Sequence, residues 1–240
     1  MSVHLLREFC AENFTFVPAA IEAGADRIEL CDNLAVGGTT PSAGVIGAAT
    51  VYAHDHGARV MTMIRPRGGD FVYSKSEIQM MQSDIETACR LGTDGIVLGC
   101  LKHGKNGFNL DISALNTLIS HARWLQEQRD WGGVPPQFER EDAAIDITFH
   151  MAFDEIPASG QFKAIDELVQ MGVTRILTHG GPAGTAIDDN IPRLKELIDY
   201  AAGRLIILPG AGITFENATR IANELGVHEV HGTKIVKVAR

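Results

Sequence analysis

Short apolar runs alternate with longer amphipathic segments along the whole chain. The apolar runs are rich in β-branched and large aliphatic residues, which is typical of buried strands. They predict eight strands, at residues 5–10, 27–31, 59–65, 95–101, 145–153, 174–179, 205–209 and 229–232. The amphipathic segments predict seven helices, at residues 14–23, 42–56, 75–91, 112–127, 160–171, 191–202 and 215–225. The chain is therefore expected to repeat a strand–helix unit.

Strands that alternate with helices favour a parallel sheet, because each helix returns the chain to the same end of the sheet. Eight units in 240 residues match the roughly 250 residues of a (β/α)8 TIM barrel. The alternative is an open doubly wound sheet, which usually carries a glycine-rich turn after its first strand. Residues 8–13 contain no glycine. We therefore predict an α/β fold with a single TIM-barrel domain over residues 1–240.

The end of the chain and one long loop depart from a regular barrel. Only residues 233–240 follow the last predicted strand, so the eighth helix is predicted to be missing or short. A second copy of the chain could cover the resulting gap in the helix ring, and we expect a homo-oligomer. The loop at residues 129–143 is expected on the face opposite the active-site end, as decoration or as an oligomer contact.

Composition and charge narrow the class of protein. The chain is 45% hydrophobic with a formal net charge of -9, which indicates a globular protein that does not bind nucleic acid through phosphate contacts. No apolar run approaches the roughly 18 residues of a membrane span, and the first residues lack the pattern of a signal peptide. Four cysteines without a CxxC pair indicate reduced thiols, so we expect a cytoplasmic protein that does not act at a membrane.

Two of the cysteines are predicted to face each other inside the barrel. Glu8 and Cys10 share one face of the first strand, and Glu29 and Cys31 share one face of the second. Neighbouring strands lie about 4.8 Å apart, so the two thiols are expected to be close. Two thiols without a cage of carboxylates suit a soft ion of low coordination number, and Cu(I) fits best. The alternative is two unrelated core thiols, as predicted for Cys89, while Cys100 is an outside candidate for the site.

Other polar residues collect where predicted strands end, at the barrel face that carries active sites. They suit an enzyme that acts by acid/base chemistry on a small anionic or phosphorylated molecule. The predicted catalytic set is Glu8, Glu29, Arg65, His150 and Asp154. The predicted anion-binding set is Arg67, Gly210, Gly212, His231 and Lys234. Arg65 is expected to face Glu8, Glu29 or a bound anion, because a buried arginine is costly without a partner. There are three alternatives for these groups. They could form a structural salt bridge, fill the barrel mouth as polar core residues without a function, or hold a single divalent ion.

Several motifs resemble the CutC copper-homeostasis family. They are EFC at residues 8–10, GADRIELC at 24–31, GGTTPS at 37–42, MIRPRGGDFVYS at 63–74, TFH at 148–150, AFD at 152–154, RILT at 175–178 and GAGIT at 210–214. The resemblance implies a cytoplasmic TIM barrel assigned to copper handling, often oligomeric, with Cu(I) thiols at Cys10 and Cys31. The chain departs from the family pattern at three places. Met151 stands where the family often has Arg, and His179 stands where it often has Ser. After His231 the family often has a pair of Ser residues, which this chain lacks.

Overall fold

The computed structural model describes residues 4–127 and 144–238. The loop predicted at residues 129–143 lies outside the described residues. Its expected role as decoration or as an oligomer contact stays a prediction.

Ten strands and seven α-helices form within the described ranges. The strands are β1 Leu6–Glu12, β2 Arg27–Cys31, β3 Arg59–Met63, β4 Gly95–Leu98, β5 Leu101–Gly104, β6 Gly107–Leu110, β7 Asp146–Phe149, β8 Arg175–Thr178, β9 Ile206–Pro209 and β10 Glu229–Gly232. The helices are α1 Val17–Glu22, α2 Ala43–Asp55, α3 Lys75–Arg90, α4 Ile112–Glu127, α5 Ala158–Gln170, α6 Ile187–Ala201 and α7 Ala218–Leu225.

Eight of the strands form one parallel sheet in the order β10-β1-β2-β3-β4-β7-β8-β9. With helices between its strands, this sheet is a nearly closed barrel, and the predicted TIM barrel is confirmed. Within residues 4–127 and 144–238 no α-helix follows β10, so the missing eighth helix is confirmed as well.

The main differences from the predicted elements lie beside the barrel mouth. The predicted strand 95–101 ends at Leu98, and Leu101 begins the antiparallel hairpin β5–β6 instead. The predicted strand 145–153 ends at Phe149 and continues as a 3-10 helix, Met151–Glu155. In both places the apolar pattern of the sequence continues past the residue at which the backbone leaves the sheet. Apolar character alone does not show where the turn begins.

Side chains that alternate along the strands fill two separate cores. Phe9, Ile28 and Leu30 point outward and join the large cluster between the sheet and the helices. The inward residues include a small cluster of their own, made of Cys10, Cys31, Met61, Met63 and Val97. The parity predicted for β1 and β2 is confirmed, and it places both cysteines inside the barrel.

Candidate functional site

Cys10 and Cys31 lie side by side inside the barrel. Their sulfur atoms and a carboxylate oxygen of Glu29 are all within 4.8 Å of one another. Both thiols are buried, and both are free. The loop after β2 closes over them, since a Cβ atom on Gly38 would stand only 3.2 Å from the sulfur of Cys31. The thioethers of Met61 and Met63 border the same cluster, so soft sulfur atoms dominate this part of the interior.

One carboxylate, that of Glu29, borders the thiols. The Cys31 thiol donates to Glu29 Oε2 at 3.8 Å. The hydrogen bond with Cys31, and then burial, raise the pKa of Cys10 well above its usual value. The hydrogen bond with Cys10 lowers the pKa of Cys31, but burial and the charge of Glu29 outweigh it and leave this pKa raised. Both groups are therefore protonated thiols at neutral pH until a metal displaces their protons.

Glu29 also forms a buried ion pair with His231. The Nε2 atom of His231 lies 2.9 Å from Glu29 Oε2, and both residues are buried. Burial lowers the pKa of His231, yet the charge of Glu29 outweighs it and holds this pKa well above 6.5. Burial raises the pKa of Glu29, but His231 outweighs it and leaves this pKa lowered. The pair is accordingly carboxylate and imidazolium at neutral pH.

Glu8 lies next to this pair but belongs to a larger ionic network. Glu8 pairs with Arg27, which also donates to Glu229 at 2.6 Å. Arg175 joins Glu229 at 3.2 Å and Asp146 at 3.1 Å. Apart from Glu8, each member of this network is the first residue of its strand, so the network lies at the N-terminal end of the barrel, where residues serve stability. One oxygen of Glu8, Oε1, stays buried without a hydrogen-bond partner.

Arg65 does not pair with Glu8 or Glu29, and that expectation is corrected. Its guanidinium donates to three backbone carbonyls of the loops after β2 and β3, those of Val36, Gly38 and Gly69, at 2.8–2.9 Å. A periodic pattern cannot reveal such partners, because they belong to irregular backbone. The Nε atom of Arg65 remains buried without a partner.

His150 supplies a second buried donor near Arg65. Both side chains contact the ring of Phe71, with the Arg65 guanidinium carbon 4.8 Å from the ring centre and the imidazole centroid 4.9 Å from it. The Nδ1 atom of His150 accepts the amide hydrogen of Ala152 at 3.2 Å. Burial, followed by the charge of Arg65, lowers the pKa of His150 to about 3. The neutral ring therefore carries its proton on Nε2, which is buried without a partner.

Asp154 and His179 line a separate cleft of about 700 Å³ over the ends of β7, β8 and β9. Asp154 accepts hydrogen bonds from the Thr178 hydroxyl and, at 2.9 Å, from the His179 amide. Both of its oxygens are thus engaged in fixing the end of β8. Burial raises the pKa of Asp154 above its usual value.

The predicted anion-binding residues are not gathered in one place. Arg67 is held by Glu77, by Asp70 at 3.0 Å and by the carbonyl of Val72 at 2.9 Å. Lys234 is exposed beside a groove on the outer face of the barrel. Gly210 is buried against His231, where a Cβ atom would lie 3.0 Å from Nδ1, whereas Gly212 is exposed. Only His231 and Gly210 border the interior site, where His231 contacts Glu29.

Comparison with known proteins identifies the family of the chain. The model of the CutC family matches residues 5–127 and 137–236. The chain belongs to the CutC family. The family protein CutC of Enterococcus faecalis is 55% identical over 232 residues, which cover 97% of this chain and 100% of that protein.

Two solved structures are similar to this chain in fold, and one of them is a CutC protein. A CutC protein of Streptococcus agalactiae, whose proposed role is copper homeostasis, is 44% identical and covers 97% of this chain and 100% of its own, with a TM-score of 0.84. A 2,3-dimethylmalate lyase matches at a TM-score of 0.62 but only 12% identity, over 96% of this chain and 76% of its own. That second likeness shows the shared fold alone.

Two buried polar residues of this CutC chain, Arg27 and Arg175, were not predicted from the sequence. Each opens a strand and points into the barrel, where it neutralises carboxylates. Their shared parity with the inward residues Glu29 and Leu177 is the signal in the sequence that could have found them. His179, a departure from the family pattern, is buried with its Nε2 atom 3.1 Å from Asn190 Nδ2.

The histidines of this CutC interior give a prediction for pH titration. Between about pH 3 and 6.5, unfolded His150 binds a proton that the folded protein rejects. Its contribution to stability is therefore complete above pH 6.5 and is lost as the pH falls toward 3. In nitrogen NMR spectra at pH 5, His150 is expected to be neutral with its proton on Nε2. A His150 titration with a midpoint near 6.5 would contradict the burial argument.

Proposed function

We propose that this CutC chain binds Cu(I) through Cys10 and Cys31, inside the barrel near its C-terminal mouth. The observation that carries the proposal is the adjacency of two buried thiols within 4.8 Å of each other. The position of Cys31 as the last residue of β2 supports a site toward the C-terminal ends of the strands. In this proposal copper is the cargo of the protein, which buffers or delivers it.

The donor chemistry supports a soft, low-coordinate ion. Thiolate and thioether sulfur select Cu(I) over hard cations, and the cluster holds two cysteines with two methionines. The raised pKa values of the thiols mean that binding must release protons. The copper affinity is therefore expected to increase with pH.

Titration of Cu(I) against a chromogenic chelator tests this proposal. The reduced protein is expected to withdraw one Cu(I) per chain from the chelator complex under anaerobic conditions. A protein that leaves all of the Cu(I) with the chelator, at any ratio of the two, would contradict it.

A second candidate function is acid/base catalysis on a small anion. The observation that favours it is the pair of unpartnered donors, Arg65 Nε and His150 Nε2, which both border Phe71. An anion between them would satisfy two buried hydrogens that are otherwise costly to leave unpaired. Glu29 and His231 would then give or take the proton. This CutC chain needs neither donor for binding copper.

Crystals grown or soaked at high phosphate concentration test the second candidate. An anion within hydrogen-bond distance of both Arg65 Nε and His150 Nε2 supports it. Only water between these two atoms counts against it, whatever the result for copper.

A cytoplasmic location forms part of the copper proposal. The four cysteines all lie within the described residues and form no disulfide, and a reducing compartment preserves such thiols. No helix of residues 4–127 or 144–238 is long and apolar enough to cross a membrane. The homo-oligomer stays a prediction, as does the absence of a nucleic-acid partner.

A further inference from the structure

A second donor set lies beside the thiols and differs from them in chemistry. One ligand atom each from Glu8, Glu29 and His231 lies within 4.8 Å of the other two. All three residues are buried, with relative exposures of 0%, 2% and 6%. Two carboxylates and an imidazole suit a divalent metal ion of intermediate to hard character, whereas the thiols suit a soft monovalent one.

Two buried oxygen atoms of this set have no partner. Glu8 uses Oε2 for Arg27, and Glu29 uses Oε2 for His231, so in each carboxylate one oxygen holds the group in place. The other oxygens, Glu8 Oε1 and Glu29 Oε1, are buried and accept nothing. A buried carboxylate oxygen without a donor is costly, and a metal ion satisfies two of them at once.

The net charge of the connected groups also favours a bound cation. The network of Glu8, Arg27, Glu229, Arg175 and Asp146 contains three carboxylates and two guanidinium groups, so it retains one negative charge. Glu29 adds a second negative charge. A divalent cation bound with neutral His231 would make the sum zero, whereas a protonated His231 leaves one negative charge buried.

We propose that Glu8, Glu29 and His231 form a binding site for a divalent transition-metal ion, adjacent to the thiol pair and sharing Glu29 with it. Metal–oxygen and metal–nitrogen bonds of about 2.0–2.2 Å hold ligand atoms no more than roughly 4.4 Å apart. The three residues therefore need little or no closing movement. Arg27 acts outside the site, where its hydrogen bond fixes the orientation of Glu8.

Metal titrations in a chain without the two thiols test this site separately from the copper proposal. In Cys10→Ser/Cys31→Ser, Mn²⁺ binding is followed by the loss of the free-ion signal in electron paramagnetic resonance, and Zn²⁺ is added as a competitor. We expect one Mn²⁺ per chain, displaced by Zn²⁺. Failure of copper binding in the parent chain leaves this expectation intact. Absence of Mn²⁺ and Zn²⁺ binding at metal concentrations up to about 1 mM overturns it.

Glu8→Gln in the same background removes one ligand and is expected to weaken Mn²⁺ binding by at least about 100-fold. The matched control is Glu229→Gln, which removes a carboxylate from the same arginine, Arg27, but offers no atom to the site. It is expected to weaken the affinity by no more than about 10-fold, because it removes one charge of the network and a partner of Arg27 but no ligand atom. Equal losses in the two variants would overturn the assignment.

A ligand substitution on a different strand covers the case in which Glu8→Gln does not fold. His231→Gln keeps the Glu8–Arg27 pair and is also expected to lose at least about 100-fold in Mn²⁺ affinity. Circular dichroism confirms the fold of each variant. A folded His231→Gln chain that binds Mn²⁺ as tightly as its parent overturns the proposal.

Discussion

Cys10→Ser/Cys31→Ser is expected to lower the affinity for Cu(I) by at least about 1,000-fold, because hydroxyl oxygens are poor ligands for a soft ion. Each single variant should retain weak binding through the remaining thiol. Competition with a chromogenic chelator measures all three affinities. The residual binding of the double variant also shows what Met61 and Met63 contribute, since both thioethers remain in the interior cluster.

Cys89→Ser is the matched control for this loss. Cys89 is half-buried in α3 and lies outside the interior cluster, so its replacement should leave the copper affinity unchanged. Unaltered affinity in the Cys10/Cys31 double variant, or an equal loss in Cys89→Ser, would remove the basis for placing copper inside the barrel.

Arg27→Met is expected to destabilise the barrel by about 3–5 kcal/mol, because it leaves buried carboxylates without their counter-charge. Arg27 is 1% exposed and serves both Glu8 and Glu229. Urea unfolding followed by circular dichroism measures the change in the free energy of unfolding. Adding Glu8→Gln to the variant should recover part of the loss, since it removes one of the uncompensated charges.

Arg204→Met provides the comparison at the surface. Arg204 pairs with Asp166 at 2.6 Å, but both side chains are substantially exposed. Exposed ion pairs contribute little, so the free energy of unfolding should change by less than about 1 kcal/mol. Similar losses in Arg27→Met and Arg204→Met would mean that the interior network does not stabilise the barrel.

The barrel and the thiol pair were predictable because both depend on regular periodicity. The alternation of Phe9 with Cys10 and of Leu30 with Cys31 fixes the inward face of β1 and β2 from the sequence alone. In the parallel register Cys10 lies opposite Glu29, so Cys31 is its diagonal neighbour, one inward position further along β2.

The partners of charged residues were not predictable in the same way. Arg65 is held by carbonyls of two loops, and Asp154 by groups at the end of β8, and neither contact follows a period of 2.0 or 3.6 residues. Glu8 and Arg27 point inward from adjacent strands, so the alternation of side chains along the strands could have predicted their ion pair. An arginine at the first position of a strand, however, has the sequence pattern of a solvent-exposed strand end. The β5–β6 hairpin, which turns at Lys105 and Asn106, was not predicted, because the apolar pattern that begins in β4 continues through Leu101.

X-ray absorption at the copper K-edge of the Cu(I)-loaded protein tests the central claim most directly. Two sulfur ligands are predicted in the wild-type chain, with this signal lost in Cys10→Ser/Cys31→Ser. Copper surrounded only by nitrogen and oxygen, or an unchanged sulfur signal in the double variant, would contradict the assignment of Cu(I) to Cys10 and Cys31.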